Sequence, residues 1–139
     1  MTKELSELKH QAKFVRWARE QGIKICATAQ STFTDSWKAL NQNKMAGVVK
    51  GLPDLVLVIP PELRADNQGQ ILFIEMKKEK GGRISPEQKM WLADLQSCKE
   101  VVARVCNGHQ AAIKFTQQFI QTPPPPPTEE QVEEIINNM

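Results

Sequence analysis

The sequence contains no tyrosine and only three cysteines among its 139 residues. Cys26, Cys98 and Cys106 are odd in number and lack the spacing of metal ligands. They are therefore interpreted as reduced thiols of a protein without disulfide bonds or a structural zinc site, as is usual in the cytosol.

Long apolar runs are also absent. No stretch approaches the roughly 20 residues that a membrane-spanning helix needs. The first residues, MTKELSELKHQAKF, lack the apolar stretch and small-residue cleavage site of a signal peptide. We therefore expect a cytoplasmic protein that does not associate with membranes.

Positive charge is missing from the end of the chain. No lysine or arginine follows the proline run 123–127, where four glutamates occur at 129, 130, 133 and 134. Without those four negative charges, the formal charge of the remaining chain rises from +2 to +6. A body this basic is compatible with a polyanionic partner but does not require one.

The length and the proline run define the expected domain organisation. A length of 139 residues suits one domain, which we place at residues 1–122. Residues 123–127 form a stiff polyproline linker, and residues 128–139 form an acidic tail. The tail has Val132, Ile135 and Ile136 on one possible helical face. It is either a solubilising tail, a docking helix, or an acidic mimic of nucleic acid that competes for the basic body.

Hydrophobic periodicity predicts the first elements. Residues 2–21 carry apolar side chains at three- and four-residue steps, which predicts a helix that ends near Gly22. The apolar positions are Leu5, Leu8, Ala12, Val15 and Ala18. Residues 23–29 read as a short strand. Residues 30–50 are polar and irregular, and in them Trp37 and Leu40 could anchor a short helix or a flap.

The second half of the domain has clearer signals. Continuous apolar runs predict strands at 54–59, 71–77 and 101–106. Ser85, Pro86 and Gln88 have the composition of a helix N-terminus with a capping box. A last apolar-periodic helix runs through Phe119. The order helix, three strands, helix, strand, helix predicts an α/β fold, a mixed sheet flanked by helices.

The chemistry of the sequence centres on two of these strands. Alternation along a strand places Glu75 and Lys77 on one face and Met76 on the other. If the strands at 54–59 and 71–77 pair as a hairpin, Asp54 lies beside Glu75 and Lys77. An isolated Glu-x-Lys is usually an ion pair or a solvated strand end. The added loop Gly51-Leu52-Pro53-Asp54 and the flanking apolar strands favour a functional site instead.

Hard oxygen ligands at such a site suit Mg²⁺ or Mn²⁺, which keep waters and accept phosphate oxygens as further ligands. The metal would polarise a phosphate and activate a water molecule. Lys77 would stabilise the developing negative charge or orient the water.

Three short motifs together resemble a known family. Gly51-Leu52-Pro53-Asp54-Leu55, then Phe73-Ile74-Glu75-Met76-Lys77, then Ser85-Pro86-Glu87-Gln88 with Trp91 and Leu95, resemble the VRR-NUC group of the PD-(D/E)XK nuclease superfamily. These are small nucleases of phages and bacteria, related in fold to Holliday junction resolvases. The resemblance extends roughly from Glu4 to Ile120 and implies a restriction-endonuclease-like core.

The resemblance also implies residue roles. Asp54 and Glu75 would be metal ligands together with the backbone carbonyl of Met76, and Lys77 would be the catalytic lysine. Gln88 matches the family's helix glutamine, although a capping role explains it equally well. A further metal-binding glutamate on the first helix is placed at Glu7, with Glu4 as the alternative.

The expected activity is hydrolysis of phosphodiester bonds in branched or duplex DNA, by an enzyme that could act as a homodimer. The alternatives are a catalytically silent DNA-binding or recombination accessory protein, and a nuclease for RNA or single strands. No base-reading helix or zinc finger is evident, so sequence-specific readout is not expected. A group of basic residues near the motifs is predicted to contact phosphates. They are Lys44, Lys50, Lys78, Lys80, Arg83 and Lys89.

Overall fold

The computed structural model describes residues 4–28, 41–42, 44–121 and 127–139. The predicted helix or flap around Trp37 and Leu40 lies outside the described residues, as does most of the predicted polyproline linker. Within the described ranges, no helix is both long enough and apolar enough to cross a membrane.

Helix α1 spans Glu7–Glu20. The Ser6 side chain accepts a hydrogen bond from the backbone N–H of Lys9 at 3.2 Å, which caps the helix start. The helix stops at Gly22, whose φ of 84° belongs to the left-handed region that glycine adopts without strain. The predicted helix is thus confirmed, with a later start.

The face that α1 buries differs from the predicted stripe. His10, Phe14 and Ala18 are buried, whereas Leu8 is 74% exposed and Ala12 is also exposed. The predicted stripe is therefore wrong at Leu8 and Ala12. The buried face includes a polar residue, His10, and a count of apolar positions could not include it.

His10 connects α1 to helix α3, which spans His109–Gln117. The backbone N–H of His109 donates to His10 Nδ1 at 3.1 Å, and the Nδ1 atoms of the two rings lie 2.9 Å apart. Because His10 Nδ1 accepts the backbone hydrogen bond, the proton between the rings belongs to His109 Nδ1.

Within the part of the chain that the structure describes, four strands form one mixed sheet in the order β1-β2-β3-β4. Their bounds are Lys24–Ala27, Leu55–Ile59, Gln70–Lys77 and Val101–Asn107. Strands β1, β2 and β3 are antiparallel neighbours, whereas β4 lies parallel to β3. Helix α2, Pro86–Ser97, makes the connection that a parallel pair requires.

The core lies between the sheet and the pair α1 and α3. Leu55, Leu57 and Ile59 of β2 alternate toward this side, and Phe14 and Phe115 pack against them from the helices. Helix α2 packs on the other face of the sheet, over β4. The mixed sheet with flanking helices confirms the predicted fold class. A 3₁₀ turn, Pro61–Leu63, follows β2.

The acidic tail contains a further helix, α4, which spans Glu129–Asn137 and begins with a capping box from Thr128 and Gln131. Every residue from 127 to 139 is exposed, including the apolar Val132, Ile135 and Ile136. The helical face expected from the sequence is therefore present.

Candidate active site

Asp54 and Glu75 meet at one end of the β2–β3 ladder. Because the last antiparallel pair joins Leu55 to Ile74, the next residues along the two strands are Asp54 and Glu75. The backbone N–H of Asp54 donates to Glu75 Oε2 at 3.0 Å. The backbone N–H of Met76 donates to Asp54 Oδ2 at 3.1 Å. Each carboxylate is therefore fixed by the backbone of the other strand.

Strand β1 holds the Asp54 loop from the other side. The backbone N–H of Thr28 donates to the carbonyl of Asp54 at 2.7 Å, and the Thr28 hydroxyl donates to the carbonyl of Pro53. Pro53 is itself buried. No local pattern indicates Thr28, since its role depends on the β1–β2 pairing.

Gly51 brings the same loop against helix α2. A Cβ atom at Gly51 would lie 2.6 Å from the carbonyl carbon of Glu87 and 2.7 Å from its oxygen, which no side chain can tolerate. Its φ of 102° also favours glycine. The loop that carries Asp54 therefore packs directly against the first turn of α2.

Glu75 and Lys77 share one face of β3, as strand alternation predicts. Lys77 Nζ lies 3.4 Å from Glu75 Oε1, and Met76 points the other way into the core. Glu75 is 1% exposed and Lys77 is 9% exposed. Ion pairs this buried are costly unless further hydrogen bonds satisfy them, and Gln88 supplies one.

Gln88 combines the two roles that the sequence left open. Its Oε1 accepts from the backbone N–H of Ser85 at 2.9 Å, and the Ser85 hydroxyl accepts from the Gln88 N–H at 3.1 Å, completing the capping box. Its Nε2 donates to Glu75 Oε1 at 2.6 Å. The helix cap and the carboxylate contact therefore use opposite ends of one amide.

Burial and crowding of negative charge change the acidities of both carboxyls. Burial raises the pKa of Glu75 to about 7, and the charge of Asp54 adds to this effect against the opposing charge of Lys77. Burial also raises the pKa of Asp54, with a further increase from the charge of Glu7 and an opposing contribution from the Met76 N–H. A divalent cation relieves this repulsion directly.

Glu7 is the first residue of α1 and is exposed. Its negative charge contributes to the raised pKa of Asp54. Glu4, the alternative, precedes the helix and is also exposed.

The Met76 carbonyl lies on the same strand edge as the Asp54 carboxylate. A residue in a β-strand directs its N–H and C=O to the same neighbour, and the Met76 N–H points at Asp54. Two carboxylates and one carbonyl form a set of hard oxygen donors, of the size that Mg²⁺ uses when waters and phosphates complete its shell. In the described part of the chain, no three His, Cys, Asp or Glu side chains converge on one point. These oxygen donors therefore suit a cation that takes only a few of its ligands from the protein.

The six basic residues predicted to contact phosphates are all exposed. Lys78 follows Lys77 directly, and Lys50 precedes Gly51 at the contact with α2. Lys80 and Arg83 belong to the loop between β3 and α2, and Lys89 lies on α2. Apart from Lys44, the basic side chains are therefore attached to segments that build the site.

Comparisons with known proteins identify the family and match the fold. A family model described as the VRR-NUC domain matches residues 1–110. A solved structure of a VRR_NUC domain protein is 26% identical to this chain, with a TM-score of 0.59 over 87% of this chain and 94% of that protein. No curated protein sequence matches the chain. Since the family model covers more than half of the sequence, the chain belongs to the VRR-NUC family of nuclease-like domains.

Proposed function

We propose that this protein is a divalent-metal-dependent DNA endonuclease that prefers branched DNA, such as a four-way junction. One observation carries the proposal. Asp54, Glu75 and Lys77 converge through contacts of 3.0 to 3.4 Å, with Glu75 fully buried. If the role of these charged side chains were only structural, their burial would be unfavourable, since apolar residues of similar volume would give an equally or more stable fold.

Asp54, Glu75 and the Met76 carbonyl are the residues that would hold Mg²⁺ or Mn²⁺. When bound, the ion supplies Lewis acidity for the scissile phosphate and for the attacking water. Lys77 contributes positive charge where negative charge develops during hydrolysis, and it orients the nucleophile. The buried position of Lys77 strengthens these interactions because water does not screen them.

Gln88 keeps the Glu75 side chain in place. Because the amide is anchored by the Ser85 cap, it holds Glu75 Oε1 in one orientation before substrate arrives. Such preorganisation lowers the reorganisation needed during the reaction. Glu7, at the start of α1, adds negative charge beside Asp54 and is proposed as a further, outer cation ligand.

The exposed basic residues provide contacts to the DNA backbone. Phosphate contacts position a duplex without reading its sequence, and their strength falls steeply with salt. The proposed track consists of Lys44, Lys50, Lys78, Lys80, Arg83 and Lys89.

A junction-cutting enzyme of this size is proposed to act as a homodimer, because two symmetric cuts need two sites. This part of the proposal rests on analogy with junction resolvases. Light scattering of the purified protein should give twice the monomer mass, and a strict monomer at micromolar concentration would count against it.

The test is cleavage of labelled four-way junction, splayed, duplex and single-stranded DNA, and of matched RNA, in Mg²⁺, Mn²⁺ or EDTA. Metal-dependent cleavage of the junction that is lost in Asp54→Asn, Glu75→Gln and Lys77→Ala is the expected result. Preferential cleavage of RNA or of single strands would show that the substrate is not branched DNA. Tight DNA binding without cleavage in either metal would show that the protein is a catalytically silent DNA-binding protein.

A further inference from the structure

Gly82 lies against the stem of Lys77 at a distance that only a glycine permits. A Cβ atom at Gly82 would lie 2.9 Å from Lys77 Cβ, 3.2 Å from Cγ and 3.3 Å from Cδ. Gly82 does not have a positive φ. The backbone conformation therefore does not require a glycine at position 82. The close packing against Lys77 does.

The contact covers Lys77 but not its neighbour. Lys77 is 9% exposed, whereas Lys78, the next residue, is exposed. The loop between β3 and α2 thus closes over the lysine stem. A lysine side chain has four rotatable bonds and loses much conformational entropy when it is fixed, so a wall beside its first three carbons limits where the ammonium can go.

Both ends of this loop are anchored. The carbonyl of Lys77 accepts from the Gly108 N–H at 2.8 Å, and the carbonyl of Lys78 accepts from Asn107 Nδ2 at 3.2 Å. At the other end, Ser85 is held by the capping box of α2. The Lys77 backbone cannot retreat from an added methyl group, so the side chain or the loop must move.

We propose that Gly82 is a positioning residue for Lys77: its missing side chain lets the loop press the lysine stem into the one arrangement that aims Nζ at Glu75 Oε1. The contribution of Lys77 to hydrolysis rests on the proposed function. The packing relationship between Gly82 and Lys77 rests on the described geometry alone.

The first test does not need nuclease activity. Gly82→Ala, Lys77→Gly and the double variant are unfolded in urea, with Gly69→Ala as the matched control. A Cβ at Gly69 would make only ordinary contacts, at 3.4 Å from the Ile59 carbonyl oxygen and 4.0 Å from Pro61 Cδ, and Gly69 has no positive φ. Gly82→Ala is expected to lower the urea midpoint when Lys77 is present, and to have no such effect in the Lys77→Gly background, where the side-chain atoms that the methyl group would meet, Cβ included, are absent.

A second readout is the reactivity of the lysine amine. Brief acetylation followed by mass spectrometry should show faster modification of Lys77 in Gly82→Ala, with Lys78 unchanged. Equal midpoint shifts in both backgrounds, or an unchanged rate at Lys77, would overturn the proposal. If Gly82→Ala does not fold, folding of the double variant supports the proposal, and its failure to fold overturns it.

The third readout is kinetic. Displacement of a catalytic group by about 1 Å costs up to roughly a hundredfold in rate, so kcat of Gly82→Ala should fall about ten- to a hundredfold with KM nearly unchanged. In the Lys77→Gly background no further loss is expected. If the wild-type protein cleaves nothing, the proposed function fails, while the unfolding and acetylation results still decide the role of Gly82.

Discussion

The side-chain amide of Gln88 caps helix α2 through its oxygen and holds Glu75 through its nitrogen, 2.6 Å from Oε1. Loss of this amide therefore removes two interactions in different parts of the molecule. Replacing Gln88 with alanine should lower the free energy of unfolding by about 1 to 3 kcal/mol, because Glu75 loses a buried partner. It should also lower kcat for cleavage.

Gln131 offers a matched control for this variant. It forms the same capping box on α4, with Thr128, but that helix is exposed along its whole length. Gln131→Ala should leave kcat and the urea midpoint unchanged. An equal loss of activity in the two variants would show that capping alone accounts for the effect of Gln88.

The stability of the metal-free protein should fall as the pH rises through about 7, the pKa to which burial raises Glu75. The folded state binds this proton more tightly than the unfolded chain, whose pKa is near 4.5. The contribution of Glu75 to stability is therefore fully present below pH 4.5 and is lost as the pH rises through about 7. Urea unfolding in EDTA between pH 5 and 8 measures it.

Glu75→Gln isolates this group. The uncharged amide should make the variant more stable than the wild type at pH 8 in EDTA, and the difference should shrink at pH 5. Added Mg²⁺ or Mn²⁺ should stabilise the wild type at pH 8 more than the variant. A difference that does not depend on pH would contradict the assignment.

A second pH effect, opposite in sign, is expected from the contact between α1 and α3. Burial lowers the pKa of His109, and the charges of His10 and Lys13 lower it further, while Glu79 opposes them. The folded state therefore prefers the neutral ring. Its contribution to stability is present above 6.5, the usual value for histidine, and is lost as the pH falls below it.

The measurement is an NMR titration of the two histidines together with unfolding at pH 5 and 7. His109→Gln should be less stable than the wild type at pH 7, with a smaller difference at pH 5. A midpoint for His109 at or above 6.5 would contradict the expected direction.

Gly51→Ala should disrupt the contact between the Asp54 loop and α2. The added methyl group would overlap the Glu87 backbone, and the positive φ adds strain of about 1 to 3 kcal/mol. Gly47→Ala is the matched control, since Gly47 also has a positive φ, of 91°, but a Cβ there meets nothing within 4 Å. Activity should fall in Gly51→Ala only. If the two substitutions lower activity equally, the effect of Gly51→Ala comes from backbone strain and not from the contact with Glu87.

Truncation at Thr122 should tighten DNA binding if the acidic tail competes with nucleic acid for the basic body. Removal of four glutamates raises the net charge of the protein, and the gain in affinity should be largest at low salt. Fluorescence anisotropy with labelled junction DNA over a salt series measures it. A full-length variant with glutamine at 129, 130, 133 and 134 is the control for charge alone, and unchanged affinity in both proteins would leave the tail as a solubilising segment.

Local signals predicted much of this fold because they act within a few residues. The cap at Ser85 and Pro86, the stop at Gly22 and the alternation of β3 are local effects of backbone and side-chain chemistry. The apolar stripe predicted for α1 did not include His10. This residue is buried against His109, which lies 99 positions away along the chain.

The sequence by itself determined the α/β order of elements, the pairing of Glu75 with Lys77 on one face, and the family to which the chain belongs. These follow from strand alternation and from motif spacing, which are properties of neighbouring residues. Only the tertiary structure decided that Thr28 anchors the Asp54 loop, that Gln88 serves both helix and carboxylate, and that Gly82 closes over Lys77. Those contacts join segments far apart in sequence, and their distances are fixed by how the sheet and helices pack, which no local pattern encodes.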